Sequence, residues 1–291
     1  MVNAGSFICL YVISDEVCDY IRLFYGVEKG TKGYRVMYFA GIDIGSITSK
    51  AAILKDGRVI GVRVIFTGYN AELAGWNVYR ELLGELGLVA SDVDKIVSTG
   101  YGRNSLSFVD KAVTEIICHG TGAHYLYPHV RSIIDVGGQD SKAMVLDEGG
   151  RVKDFAMNDK CAAGTGRFLE VMARALEVDL DAFGDISLKA EKAAKISSIC
   201  TVFAESEVIS LISKGEQRES IIAGIHESVA SRISALAMRI GVREPVMMTG
   251  GVAKNRGAVK ALEKKLRMTI EVSEYAQTNG AVGAAVLAMK L

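Results

Sequence analysis

In the stretch MNDKCAAGTGRFLE a single cysteine, Cys161, stands just ahead of a Gly164-Thr165-Gly166 turn that opens an amphipathic helix, with no second cysteine near it in the chain. Packing is one reading, because cysteine is among the most buried residue types. The other is a thiolate, or an anion it ligates, that gains from the free N–H groups and positive dipole end of the helix. A second set of candidates is acidic. The segments DIGSITSKAAILKDGRVI, from Asp43, and DVGGQDSKAMVLDEGGRVK, from Asp135, align without gaps. Asp43 falls on Asp135, Gly45 on Gly137, Ser49 on Ser141, Lys50 on Lys142 and Leu54 on Leu146, at a constant offset of 92 residues (135 − 43). A strand ending in Asp-x-Gly brings a carboxylate to the sheet edge, where it can orient Mg²⁺ through water, and the glycine lets backbone N–H groups approach a phosphate. Asp43 and Asp135 are therefore expected to hold Mg²⁺ through water. Two such turns facing each other would clamp a triphosphate from both sides.

These residues need particular elements to position them. Each copy of the repeat reads as a strand, a Gly-rich turn, a second strand and a short Asp-Gly or Gly-Gly turn into a third strand, a duplicated βββ unit with one copy in each lobe. A third glycine element, VMMTGGVAKNRGAVKALEKKL, reads as a buried strand, Gly250-Gly251, and a helix starting near Lys254 or Asn255. Paired glycines there let a flat group such as an adenosine lie against the backbone. The amides of Gly164, Thr165 and Gly166 form a fourth element placed to face phosphates. Together the four outline a nucleotide cleft that is neither a Walker A loop nor a Rossmann fingerprint. The segment RESIIAGIHESVASRISALAMRI carries Ile221, Ile222, Ile225, Val229, Ile233, Leu236 and Ile240 at helical spacing, a core stripe on which His226 reads as structural. His119, His124 and His129 have no metal-ligand spacing.

Composition limits the partners. The 291 residues carry 34 basic and 34 acidic side chains, and a net charge of zero argues against a nucleic-acid or anionic-membrane surface. Five cysteines without C-x-x-C spacing fit a reducing compartment better than a disulfide scaffold. No apolar run reaches spanning length and the start lacks the basic flank of a signal peptide, so a cytoplasmic location is expected.

The phosphate-1, phosphate-2 and adenosine pattern resembles that of the acetate and sugar kinase, heat-shock chaperone and actin superfamily. More narrowly, GIDIGSITSK, STGYGR, DVGGQDSK, NDKCAAGTGRFLE, CTVFAESEVISLISKG and TGGVAKN resemble the activators of 2-hydroxyacyl-CoA dehydratases and the related ATPase subunits of benzoyl-CoA reductases. The resemblance covers Met37 to the C-terminus. It implies an α/β, two-lobed actin-like (ribonuclease H-like) fold, with lobe I spanning 37–130 plus the returning C-terminal helix at 276–291, and lobe II spanning 131–275. It implies a homodimer sharing one [4Fe-4S] cluster, ATP hydrolysis with Mg²⁺, and transfer of a low-potential electron from a ferredoxin or flavodoxin-type donor to a partner dehydratase or reductase that carries its own iron-sulfur cluster.

Carried over by position, Asp43, Gly45, Ser46 and Lys50 match the first phosphate motif, Asp135, Gly137, Gly138 and Gln139 the second, and Gly250, Gly251, Lys254 and Asn255 the adenosine motif. Cys161 and Cys200 match the cluster ligands. A [4Fe-4S] cluster usually takes four thiolates, and a two-fold axis doubles the two that one chain supplies; a Cys₄ zinc site has the same ligand count. Gln139 is read as the residue that orients a water toward the γ-phosphate, where a kinase would need a carboxylate base. Cys118 reads as buried, Glu205 and Glu207 as a solvated helix face, and Arg103 as a residue that could reach the dimer interface. A small-molecule kinase and an actin-like assembling protein stay open as other functions of the same cleft.

Residues 1–36 precede Met37, after which YFAGIDIGS reads as the natural start of the first strand. They are expected to be a dispensable extension, with Cys9 and Cys18 not acting as ligands. A protein begun at Met37 is expected to keep nucleotide and metal binding, measured by calorimetry and metal analysis; loss of either refutes this.

Overall fold

A computed structural model describes residues 36–197 and 200–291, so Cys9, Cys18 and the segment before Val36 lie outside the described residues. The chain starts as a three-stranded meander, β1 (Tyr38–Ile44), β2 (Thr48–Lys55) and β3 (Arg58–Phe66). The β2–β3 turn is Asp56-Gly57 with both φ values positive, 47° and 79°, the two-residue hairpin whose twist matches that of its strands. Helix α1 (Ala71–Leu86), β4 (Val93–Thr99), the short β5 (Lys111–Ala112) and α2 (Glu115–Leu126) follow. The pattern then repeats with β6 (Ser132–Val136), β7 (Ser141–Leu146) and β8 (Val152–Asn158). Four helices come next, α3 (Gly166–Ala175), α4 (Leu180–Ser187), α5 (Thr201–Ser213) and α6 (Arg218–Arg239), then β9 (Val246–Thr249), α7 (Arg256–Leu266), β10 (Ile270–Val272) and α8 (Asn279–Ala288).

Two sheets of the same plan result, β3-β2-β1-β4-β5 and β8-β7-β6-β9-β10. In each, the meander is antiparallel and its first strand pairs in parallel with a later one, β1 with β4 and β6 with β9. The duplication read from the sequence is thus an architectural one. Strands β1 and β6 are almost wholly buried, because helices cover both faces of the sheets. Helix α8 packs on β1, β2 and β4 and against α2. A Cβ at Gly283 would strike the Cys118 carbonyl of α2, and one at Gly41 the Ala281 carbonyl of α8, so small residues set how deeply α8 can lie. Among the described residues no helix is long and apolar enough to cross a membrane.

Helix α6 carries the expected stripe into the core of the second sheet. Ile221, Ile222, Ile225, Val229 and Ile233 are buried, whereas Leu236 and Ile240 lie at the rim, only partly covered. The helix expected from Lys254 or Asn255 starts at Arg256, after a 3₁₀ turn over Gly251–Lys254, because the Asn255 side chain caps it by accepting from the Ala258 N–H at 2.9 Å. His226 is buried on α6, with Nδ1 2.9 Å from the Ser187 Oγ and its ring edge-on to Phe183. Ser187 spends its own proton on the Gly184 carbonyl, so the imidazole is the donor to it, and Nε2 stays bare and buried.

Burial lowers the His226 pKa from 6.5 to about 4. A folded pKa below the unfolded one means that the stability is present above pH 6.5 and is lost as pH falls toward 4, on the order of 3 kcal/mol at full protonation. His226→Gln is expected to flatten this acid limb in a urea-denaturation series between pH 7 and 4. An unchanged slope would show that the imidazole does not titrate with unfolding.

Candidate functional site

A cleft of about 540 Å³ opens between the turns of the two sheets, within the usual range for a small-molecule site. The β1–β2 register places Asp43 opposite Lys50, and the β6–β7 register places Asp135 opposite Lys142. Each lysine donates to its aspartate, Lys50 Nζ to Asp43 Oδ2 at 3.2 Å and Lys142 Nζ to Asp135 Oδ2 at 3.3 Å. The parallel neighbours complete the likeness: Thr99 lies opposite Asp43 and Thr249 opposite Asp135, and each threonine is followed by a left-handed glycine, Gly100 (φ 84°) and Gly250 (φ 87°). A side chain at Gly100 would strike the Asp43 carboxylate, and one at Gly250 the Val136 carbonyl. Glycine is required at both positions. The turns themselves approach, since a Cβ on Gly138 would meet the Ile47 side chain.

Asp135 sits deepest. Its Oδ1 accepts from the Thr249 hydroxyl at 2.8 Å and lies 3.5 Å from His119 Nδ1. Burial alone would raise its pKa, but the His119 ring, the Lys142 ammonium and the threonine hydroxyl outweigh that and hold it at about 2. Burial likewise opposes the charge on Lys142, yet Asp135, Asp140 and Glu115 around it keep its pKa above the usual lysine value. Glu115 is pushed upward by its own burial, against the pull of Lys142.

Asp43, Gly45, Ser46, Lys50, Asp135, Gly137, Gly138, Gln139, Gly250, Gly251, Lys254 and Asn255 all line the cleft. Gly45 N–H and Gly137 N–H close their own turns on the carbonyls of Thr48 and Asp140, and no hydrogen bond among the described residues uses the amides of Ser46, Gly138 or Gln139. Those amides can meet phosphate oxygens. The Asn255 Nδ2 is buried in the cleft wall without a partner. The fourth glycine element differs from expectation. Gly166 lines the cleft but Gly164 and Thr165 do not. The Gly166 and Arg167 amides donate to the carbonyls of Gly137 and Gly138 at 2.9 and 2.8 Å, and Thr165 N–H and Oγ1 both turn back to Ala162, so these donors are taken by backbone.

Cys161 is half-buried, and Asn158 fixes its backbone by accepting from Cys161 N–H at 3.3 Å and donating to Cys161 O at 2.8 Å. Cys200 is exposed at the N-cap of α5, and α3 and α5 pack on each other. Cys118 is buried, which pushes its thiol up to about 12. Glu207 accepts from Ser197 N–H and Oγ, Arg103 Nη1 donates to the Gly100 carbonyl, and Glu205, Glu207 and Arg103 lie off the cleft. His124 and His129 lie off it as well. Sequence reasoning passed over His119, Glu115 and Thr249, which line or floor the site. The signal for Thr249 was a second repeat, Thr99-Gly100 against Thr249-Gly250. No local signal marks His119.

Comparison with known proteins bears on what this cleft holds. The BadF/BadG/BcrA/BcrD ATPase family profile matches residues 40–288. The activator of lactoyl-CoA dehydratase from Anaerotignum propionicum is 50% identical over 253 residues, covering 87% of this chain and 97% of that one. Among solved structures, the activator of the 2-hydroxyisocaproyl-CoA dehydratase from Clostridium difficile with bound ADPNP is similar at a TM-score of 0.84 and 48% identity, over 87% of this chain and 95% of that one. Component A of the Acidaminococcus fermentans (R)-2-hydroxyglutaryl-CoA dehydratase is similar at 0.85 and 47%, over 87% and 98%.

Gln139 lies exposed on the second turn, where an amide can hold a water in line with a γ-phosphate. Gln139→Ala is expected to slow ATP hydrolysis about 10²-fold, the scale of one lost transition-state positioning contact, while ADP affinity is unchanged. Steady-state turnover and ADP calorimetry check this, and unchanged turnover would leave Gln139 only a turn residue.

Proposed function

The chain belongs to the BadF/BadG/BcrA/BcrD ATPase family, and on that premise we propose that it is an ATP-dependent activator of a 2-hydroxyacyl-CoA dehydratase or a related CoA-substrate enzyme. In this reading it works as a homodimer in the cytoplasm, takes an electron from a ferredoxin or flavodoxin-type donor and delivers it to the iron-sulfur centre of its partner. The observation that carries the proposal is the paired, lysine-neutralised Asp-x-Gly cleft joined by backbone hydrogen bonds to the first residues of α3, the helix that follows Cys161. Relatives near 50% identity that are named as dehydratase activators support the partner class.

ATP would lie with its phosphates between the Ser46 and Gly138-Gln139 turns and its adenosine against Gly250-Gly251, near Lys254 and the unpartnered Asn255 amide. Each aspartate is already neutralised by its lysine, so Asp43 and Asp135 would hold Mg²⁺ through water rather than directly. Gln139 positions the attacking water, and Lys50 meets charge that develops on the phosphates.

The thiols fit a shared metal centre. Among the described residues no group of three or more His, Cys, Asp or Glu could hold a metal within one chain, and Cys118 is buried away as a high-pKa thiol. Cys161 and Cys200 precede helices that pack together, so two chains meeting there would present four sulfurs. A [4Fe-4S] cluster held by them supplies one-electron, low-potential chemistry. The chain's own part is to tie nucleotide to thiol. A phosphate that shifts the Gly137-Gly138 turn pulls on the first amides of α3, and the Cys161 loop lies five residues before that helix.

Anaerobically purified protein is expected to be brown, dimeric and bleached by dithionite, with about four iron per dimer. Cys161→Ser and Cys200→Ser should each remove the colour and leave ATP binding intact, read by visible spectra and calorimetry. A colourless zinc dimer, or ADP formation that requires a small phosphate acceptor, overturns the proposal.

A further inference from the structure

Helix α6 turns its apolar stripe into the core and places Arg232, half-buried, next to the cysteine loop. Its Nη2 donates to the Sγ of Cys161 at 3.5 Å. Arg232 forms no ion pair with a carboxylate among the described residues. A guanidinium stays charged at any physiological pH, and withdrawing it from water without a counter-charge is costly. Gly164, with φ 90°, lies across the stem of the same arginine, where an added Cβ would be 3.4 Å from Arg232 Cβ. The Asn158 bonds hold the Cys161 backbone. The sulfur is therefore held in place by its loop, and among the described residues the cation that reaches it comes from a residue 71 positions away.

Resting on the reading of Cys161 as a cluster ligand, we propose that Arg232 is a positioning residue for that thiolate, and that its charge-assisted N–H···S hydrogen bond sets the reduction potential of the centre that two chains share. Hydrogen bonds to ligand sulfurs and nearby charge are among the factors that tune iron-sulfur potentials. Reduction adds one negative charge to a group that is already anionic, so a cation at the ligand favours the reduced form and raises the potential. The chain thereby keeps its low-potential centre within reach of its electron donor. In the dimer, the two-fold axis would supply the arginine twice.

The test is an anaerobic, EPR-monitored redox titration with dithionite and mediators on the wild-type dimer, Arg232→Gln and Arg232→Lys. In Arg232→Gln the ratio of reduced to oxidised cluster at a fixed potential is expected to fall about tenfold, equal to 59 mV more negative for a one-electron couple. Arg232→Lys keeps the charge but not the planar fork, and its midpoint should lie between the other two. An Arg232→Gln midpoint equal to wild type, with the cluster at full occupancy, overturns the inference and leaves the proposed function standing. Lower occupancy with an unmoved midpoint in either variant reduces Arg232 to a structural residue and also overturns it. If Arg232→Gln holds no cluster, the Arg232→Lys midpoint decides, and equality with wild type counts against the inference. Wild-type protein without iron overturns the functional reading, and the inference with it.

Discussion

Two carboxylates buried on the floor of one cleft must be neutralised, and each is neutralised by a lysine seven residues along its own hairpin. Much of the cleft follows from that pairing. A buried aspartate without its cation would cost several kcal/mol or take up a proton. The antiparallel register that sets Asp43 opposite Lys50 and Asp135 opposite Lys142 is thus held electrostatically as well as by its ladder bonds. A slip of one residue between the strands would put the lysine and its aspartate on opposite faces of the sheet. With the register fixed, the two glycine turns, whose Ser46, Gly138 and Gln139 amides are left open, have fixed positions on the cleft lining.

The second sheet carries more of this burden than the first. Asp135 has a threonine hydroxyl, a lysine and a histidine around it, drawn from β9, β7 and α2. His119 is in turn 3.3 Å from the side chain of Asn279 on α8, which also donates to the His119 carbonyl. Elements from both halves of the chain therefore meet at one carboxylate. Both helices thus bear on that carboxylate, and they pack closely, since a Cβ at Gly283 would strike the Cys118 carbonyl.

Between the cleft and Cys161 the connection is of a different kind. It consists of two backbone hydrogen bonds, from Gly166 and Arg167 to the carbonyls of Gly137 and Gly138. The helix N-terminus that the sequence offers to phosphate is engaged by the Gly137-Gly138 turn instead. An amide bound to a neighbouring carbonyl moves with it, whereas one facing solvent would not. This ties the start of α3 directly to the Gly137-Gly138 turn.

What the sequence by itself determined is local and repetitive. The 92-residue offset between the Asp-x-Gly units, the lysines that accompany them, the glycines after β9 and the lone cysteine before α3 were legible, because strand alternation, turn chemistry and register act over a few residues. So was the buried stripe of α6. Packing alone decided the rest. His119 and Thr249 reach Asp135 from 16 and 114 residues away in the chain (135 − 119; 249 − 135), the amides of α3 find carbonyls on a distant turn, and Arg232 finds Cys161 across 71 residues. Such contacts follow from how helices seat on sheets. That seating depends on the summed shape of buried side chains, and no short stretch of sequence encodes it.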